Sequence, residues 1–160
     1  MQRPWPVLVG TIAMLVLGSR APAGEPRYWV VVHPDNPSIT LRRDEVSRLF
    51  LKKLTRWSDG STAAPVDLVE SSPARDAFSR DVHRRPASAI KKYWQRMVFS
   101  GQSAPPPEVA TDEDVLAMVR SDPAAIGYVS DEVSLSGVKI VDIVEPQPRR
   151  ERGRSAAQGH

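Results

Sequence analysis

The chain has 160 residues, with 22 Lys and Arg against 19 Asp and Glu, and no cysteine. The missing cysteine excludes disulfides, thiolate metal sites and a cysteine nucleophile, so packing must hold the fold together. The length suits one ordinary domain with a real core and is too short for two lobes closing on a cleft.

At the start of the chain, Arg3, the apolar run Val7 to Leu17 and the small residues Ala21 and Ala23 read as a cleavable secretory leader. The apolar run is too short to span a bilayer. Residues 1–23 are expected to be removed and the rest to reside in the periplasm. Without Arg3 and Arg20 the protein is nearly neutral, and its remaining basic bias lies in the tail, residues 146–160. There Arg149, Arg150, Arg152 and Arg154 sit among Pro, Gly, Ser, Ala and Gln. Such a composition cannot bury a core and reads as a disordered, solvated segment rather than a nucleic-acid-binding arm. Residues 24–145 are left as a single domain.

Along that domain, Tyr28 to Val32 is a β-branched and aromatic run stopped by a Pro-Asp-Asn-Pro turn, which predicts a buried strand. Thr40 is expected to cap a first helix in which Val46, Leu49 and Phe50 form the apolar face, with Arg42, Arg43, Asp44 and Arg48 toward water. Pro65 to Val69 predicts a second strand. Ser72 then stands as an N-cap with Pro73 at the first helical position, and Phe78 and Val82 turn inward. Pro86 opens a third helix whose Ile90, Tyr93, Trp94, Met97 and Val98 predict a broad buried stripe, ended by Gly101. Gln102 to Glu108 is an extended Pro-rich connector. Thr111 caps a fourth helix, with Asp114 completing a capping box and Val115, Met118 and Val119 inside. Ile126 to Ser130 and Val138 to Val144 predict two further strands. This alternation predicts an α/β three-layer sandwich with a mainly parallel sheet.

Candidate chemistry is sparse. His33, His83 and His160 share no metal-ligand spacing. His33 at a strand end reads as a cap on turn backbone, and His83 near a helix end as a complement to the helix dipole. The run Asp112, Glu113, Asp114 fits a helix first turn. No glycine-rich phosphate loop or nucleophile elbow occurs, so no enzyme activity, metal or cofactor is expected. The one binding feature is the cluster Ser71, Ser72 and Arg75, where a strand passes into a helix N-terminus whose N–H groups and dipole favour an anion.

Three segments carry a family resemblance: Arg48 to Gly60 with Phe50, Trp57 and Asp59, then Ser71 to Phe78, then Ala125 to Val129. Together they resemble the phosphate ABC transporter substrate-binding family of the type II periplasmic binding fold. The likeness spans about residues 28 to 144 and implies one lobe of such a protein. It implies binding of phosphate or a similar oxyanion, with Ser72 on the position of the family's motif serine. Pro73 and Ala74 stand where that motif has glycine and threonine, Leu68 where it has arginine, and Lys52 where the first segment has glycine. The alternative is a periplasmic interaction module that keeps the fold without the solute, meeting a protein partner or a second copy of itself.

Overall fold

Residues 27–146 are described by a computed structural model of the chain. The expectations for the leader and for residues 147–160 lie outside the described residues. Strand β1 (Tyr28–Val32) forms where expected and is the centre of a five-stranded sheet of order β2-β7-β1-β6-β3. The others are β2 (Thr40–Arg42), β3 (Ala64–Pro65), β6 (Ala125–Ser130) and β7 (Lys139–Val144). β1 is antiparallel to both neighbours, with Val30 opposite Tyr128 and Val141. β2 runs parallel to β7, and β3 parallel to β6. Four strands therefore point one way, as the expected parallel sheet requires, while β1 points against them and makes the sheet mixed.

Helices cover both faces. Helices α1 (Arg43–Phe50) and α2 (Pro73–Val82) lie on the face to which Tyr128 points, where its ring stacks on Phe78 at 3.9 Å and Phe50 lies 5.6 Å away. Helix α4 (Asp112–Ser121) lies on the other face, against Gly127. A Cβ on Gly127 would stand 2.4 Å from Val115 Cγ1, so glycine here sets how closely α4 presses on the sheet. Burial on both faces explains why β6 reads as an apolar run rather than an alternating one, with Ala125 to Val129 all buried. The three expected layers are present.

Several local expectations need correction. Thr40 does not cap a helix: Thr40 to Arg42 pairs with Asp142 to Val144, and α1 starts at Arg43, with Glu45 accepting the Arg42 N–H at 3.0 Å. Arg43 does not face water, because its guanidinium turns to Asp81 and Glu145. The strand expected over Pro65 to Val69 splits in two. Val66 donates to Ile126, after which Asp67 donates to Pro107 and Val69 to Val109, so β4 (Asp67–Leu68) pairs with β5 (Glu108–Val109) instead. The Pro-rich connector supplies that new partner.

Helix α3 (Ala87–Phe99) buries Ala87, Ile90 and Trp94, but Val98 is 53 % exposed and Phe99 is 91 % exposed. The broad stripe narrows because α3 rests on α2 and does not reach the sheet. In α4, Leu116 is buried and Met118 only partly so. The expected capping box at Thr111 and Asp114 is present. Trp57, Phe50, Trp94, Phe78 and Tyr128 are all buried, as their positions on apolar faces or in the matched segments predict.

Candidate functional site

The turn from β4 into α2 holds Ser71, Ser72 and Arg75. Ser72 is the N-cap, and its Oγ accepts the Arg75 N–H at 3.4 Å. Pro73, at the first helical position, has no N–H to offer. The next residue, Ala74, therefore carries the only N–H of these three positions that is not used or missing. Ser71 is exposed on the loop.

Arg75 does not join them. Its side chain runs inward, 2 % exposed, where Nη1 donates to the Leu68 carbonyl at 2.7 Å and forms an ion pair with Asp67. Nη2 lies 3.6 Å from Glu108 Oε1. Asp67 is itself buried, and its Oδ1 also accepts from the Tyr128 hydroxyl and the Leu68 N–H. The structure therefore does not bring Arg75 together with Ser71 and Ser72. A guanidinium at the third position of α2 points back under the helix, and the deep carboxylate takes the fork that an anion would need.

Burial penalises both charges. It pushes the Asp67 carboxyl up to about 6, against the pull of Arg75 and the Tyr128 hydrogen bond, so the acid is still ionised at neutral pH. On Arg75 the same desolvation is outweighed by Asp67, which favours the charged guanidinium. Burial, then Asp67, keeps Tyr128 protonated. The cluster is thus an ionic pair donated to by a phenol, roofed by Phe78 and Phe50. Sequence reading missed Asp67. The available signal was an acid inside the apolar run Val66-Asp67-Leu68-Val69, which cannot be buried without a partner.

The other candidates settle into structural roles. His33 Nδ1 accepts the Asp35 N–H at 3.1 Å, as a turn cap does. His83 does not complement the α2 dipole as a cation. Its ring lies edge-on to Phe78, with Nδ1 2.9 Å from Ser47 Oγ, and burial, followed by the charges of Arg75 and Lys53, pulls it down to about 4. Asp112 accepts from Ser130, Glu113 pairs with Arg120 at 2.7 Å, and Asp114 completes the cap. Among the described residues no acidic or histidine cluster is arranged to hold a metal, and no helix is long and apolar enough to cross a membrane.

The first matched segment is structural as well. The Trp57 indole donates to the Ala124 carbonyl at 3.1 Å, and Asp59 Oδ1 accepts from the Ser61 N–H at 2.8 Å, which closes the turn at Gly60. Lys52, in place of the pattern's glycine, adopts the left-handed φ of 51° that glycine takes without strain.

No protein-family model matches the chain, and no curated protein sequence matches it. Solved structures do. A chain described as a phosphate ABC transporter substrate-binding protein from Clostridium perfringens, with bound phosphate, superposes with a TM-score of 0.59 at 19 % identity, over 74 % of this chain and 45 % of its own. An ABC-type phosphate transport receptor from Vibrio cholerae gives 0.59 at 20 % identity, over 74 % and 46 %. PstS from Borrelia burgdorferi gives 0.53 at 13 % identity, over 77 % and 49 %. The chain spans about half the length of these proteins. Its α/β fold therefore resembles one lobe of a phosphate-binding protein of an ABC transporter.

Proposed function

We propose that the chain is a non-enzymatic, periplasmic single-lobe module that keeps the fold of the phosphate-binding proteins and serves a protein partner rather than enclosing a solute. The burial of Arg75 against Asp67 carries this reading, because it removes the one cation of the strand-to-helix turn from any external anion. Pro73 and the Ser72 cap take away further donors. What remains at the turn is a single N–H and two hydroxyls, with Ser71 exposed to water, and such a set holds phosphate weakly.

The test is calorimetric titration of the chain from Gly24 onward with phosphate and sulfate up to about 10 mM, a range that reaches contacts as weak as millimolar. The expected result is no heat and no amide shift over residues 71 to 76. Saturable binding there overturns the interaction reading.

The second reading is oxyanion binding by Ser71 and Ser72, with Arg75 released from Asp67. It is favoured by the fold shared with a chain solved holding phosphate. It requires saturable heat that Ser72→Gly, which preserves the cap to within a few tenths of a kcal/mol, reduces severalfold.

A further inference from the structure

Helix α3 is the longest helix of the described residues and the most peripheral, since its buried side chains, Ala87, Ile90 and Trp94, lie outside the main core cluster. Its outward arc is Ser88, Lys91, Lys92, Gln95, Arg96, Val98 and Phe99. At 100° per residue, Lys92, Arg96 and Phe99 follow one another at i, i+4 and i+7 along the solvent ridge. The helix contains no acid. Lys91 is matched by Glu70 at 2.7 Å, whereas Lys92 and Arg96 have no carboxylate partner among the described residues. Phe99, the most exposed large apolar side chain described, stands at the end of that row. Lys53, over the Tyr93 ring at 5.6 Å, adds a further cation beside the helix. The described residues, with 16 Lys and Arg against 17 Asp and Glu, thus concentrate unmatched positive charge and an uncovered aromatic ring on one ridge.

We propose that this ridge docks on an anionic lipid bilayer, with Lys92 and Arg96 meeting headgroup phosphates and Phe99 entering the acyl boundary. Charge complementarity selects the occupant. A second copy of the chain would set cation against cation, while an anionic bilayer neutralises each one near the surface. Shape agrees, because a convex single row offers no pocket to a protein side chain but lies flush on a plane, and long cationic stems reach headgroups while their methylenes stay in the apolar layer. The dry side of α3 is held by Trp94 and Ile90 on α2, so docking needs no unfolding.

The test is cosedimentation of the chain from Gly24 onward with vesicles of phosphatidylcholine, with and without about one third phosphatidylglycerol. Expected is binding to the anionic vesicles only, reversed by about 0.5 M salt, which screens such contacts. Phe99→Ala and the double variant Lys92→Glu/Arg96→Glu should each lower partitioning at least about tenfold while leaving the melting temperature unchanged, because all three side chains are exposed. Deletion of residues 147 to 160 should leave binding in place. The proposal is overturned if the anionic vesicles are not bound, if neutral vesicles bind equally, if the double charge reversal has no effect, or if binding disappears with the tail. Failure to bind vesicles assigns the ridge to a protein partner and leaves the interaction reading standing.

Discussion

At each end of helix α2 an Asp, an Arg and a Tyr meet, one of them from the helix itself, and the two sets behave in opposite ways. At its start Asp67, Arg75 and Tyr128 meet in the interior; toward its end Asp81, Arg43 and Tyr28 meet at the rim, where the Tyr28 hydroxyl donates to Asp81 at 2.5 Å and Arg43 pairs with the same carboxylate. The inner acid is almost fully buried, and desolvation drives its pKa up. The outer one is 41 % exposed, and there the hydrogen bonds from Arg43 and Tyr28 outweigh a smaller burial penalty and hold it below the usual carboxylate range. Identical chemistry therefore gives a costly internal link in one place and a modest surface one in the other, with solvent access deciding which.

The sharpest way to break the inner set is Arg75→Met. It leaves Asp67 buried with a phenol and a backbone N–H but no cation, and the expected loss is about 3 to 5 kcal/mol in urea unfolding. The double variant Asp67→Leu/Arg75→Met removes the charge as well as its partner and should recover most of that loss, as buried pairs replaced by apolar residues often do. If Arg75→Met unfolds at the wild-type midpoint, the pair is not buried as described, and the oxyanion reading regains its cation.

Proton linkage gives the next largest effect. Asp67 is raised, so its contribution is present below its unfolded pKa near 4 and lost as pH rises through about 6. His83 is lowered, so its contribution is present above its unfolded pKa near 6.5 and lost as pH falls through about 4. Between those limits the two oppose each other, and wild-type stability should be nearly flat. His83→Gln removes the acid-sensitive half. The variant should then gain about 2 kcal/mol between neutrality and pH near 4.5, as protonation of a carboxyl raised to about 6 implies. Urea midpoints measured across that range decide it; a variant curve that stays flat would mean that the Asp67 shift is absent, and one parallel to wild type would mean that the His83 shift is absent.

The difference between the two trios also marks how far the sequence could be read. Strand β1, the Ser72 and Thr111 caps and the apolar faces of α1 and α2 were legible, because periodicity and capping are local and each residue announces its own role. The split at Val66 was not, because it depends on Pro107 and Val109 arriving from forty residues away. By sequence Arg75 faces a ligand, because its address, a helix N-terminus, is a local fact. Its direction is set by Asp67 and Tyr128, which no spacing rule joins. For the same reason α3 reads as more buried than it is: the Tyr93, Met97 and Val98 pattern is apolar, but nothing in the sequence says that α3 rests on α2 and the end of α1 rather than on the sheet. The matched segments at Trp57 and Gly127 proved legible as fold and not as site, since both serve packing and turn closure.

The smallest expected effect tests the rim. Glu145 receives Arg43 at 2.7 Å and Arg84 at 3.1 Å, yet it is 61 % exposed and lies just beyond the end of β7. Glu145→Ala removes both contacts at once. In water those charges are already well solvated, and holding three long side chains in one arrangement costs rotamer freedom, so the loss should stay within about 1 kcal/mol. A cycle with Arg84→Ala should give a coupling of about 0.5 kcal/mol or less, vanishing at high salt because the Debye length falls below the spacing of the network. Arg43 keeps Asp81 after the substitution and leaves no buried charge unpaired, which is the physical difference from Arg75→Met. A loss above about 2 kcal/mol, or a coupling that survives salt, would place the rim trio in the same low-dielectric class as the inner one, and exposure would no longer account for the opposite shifts of Asp67 and Asp81.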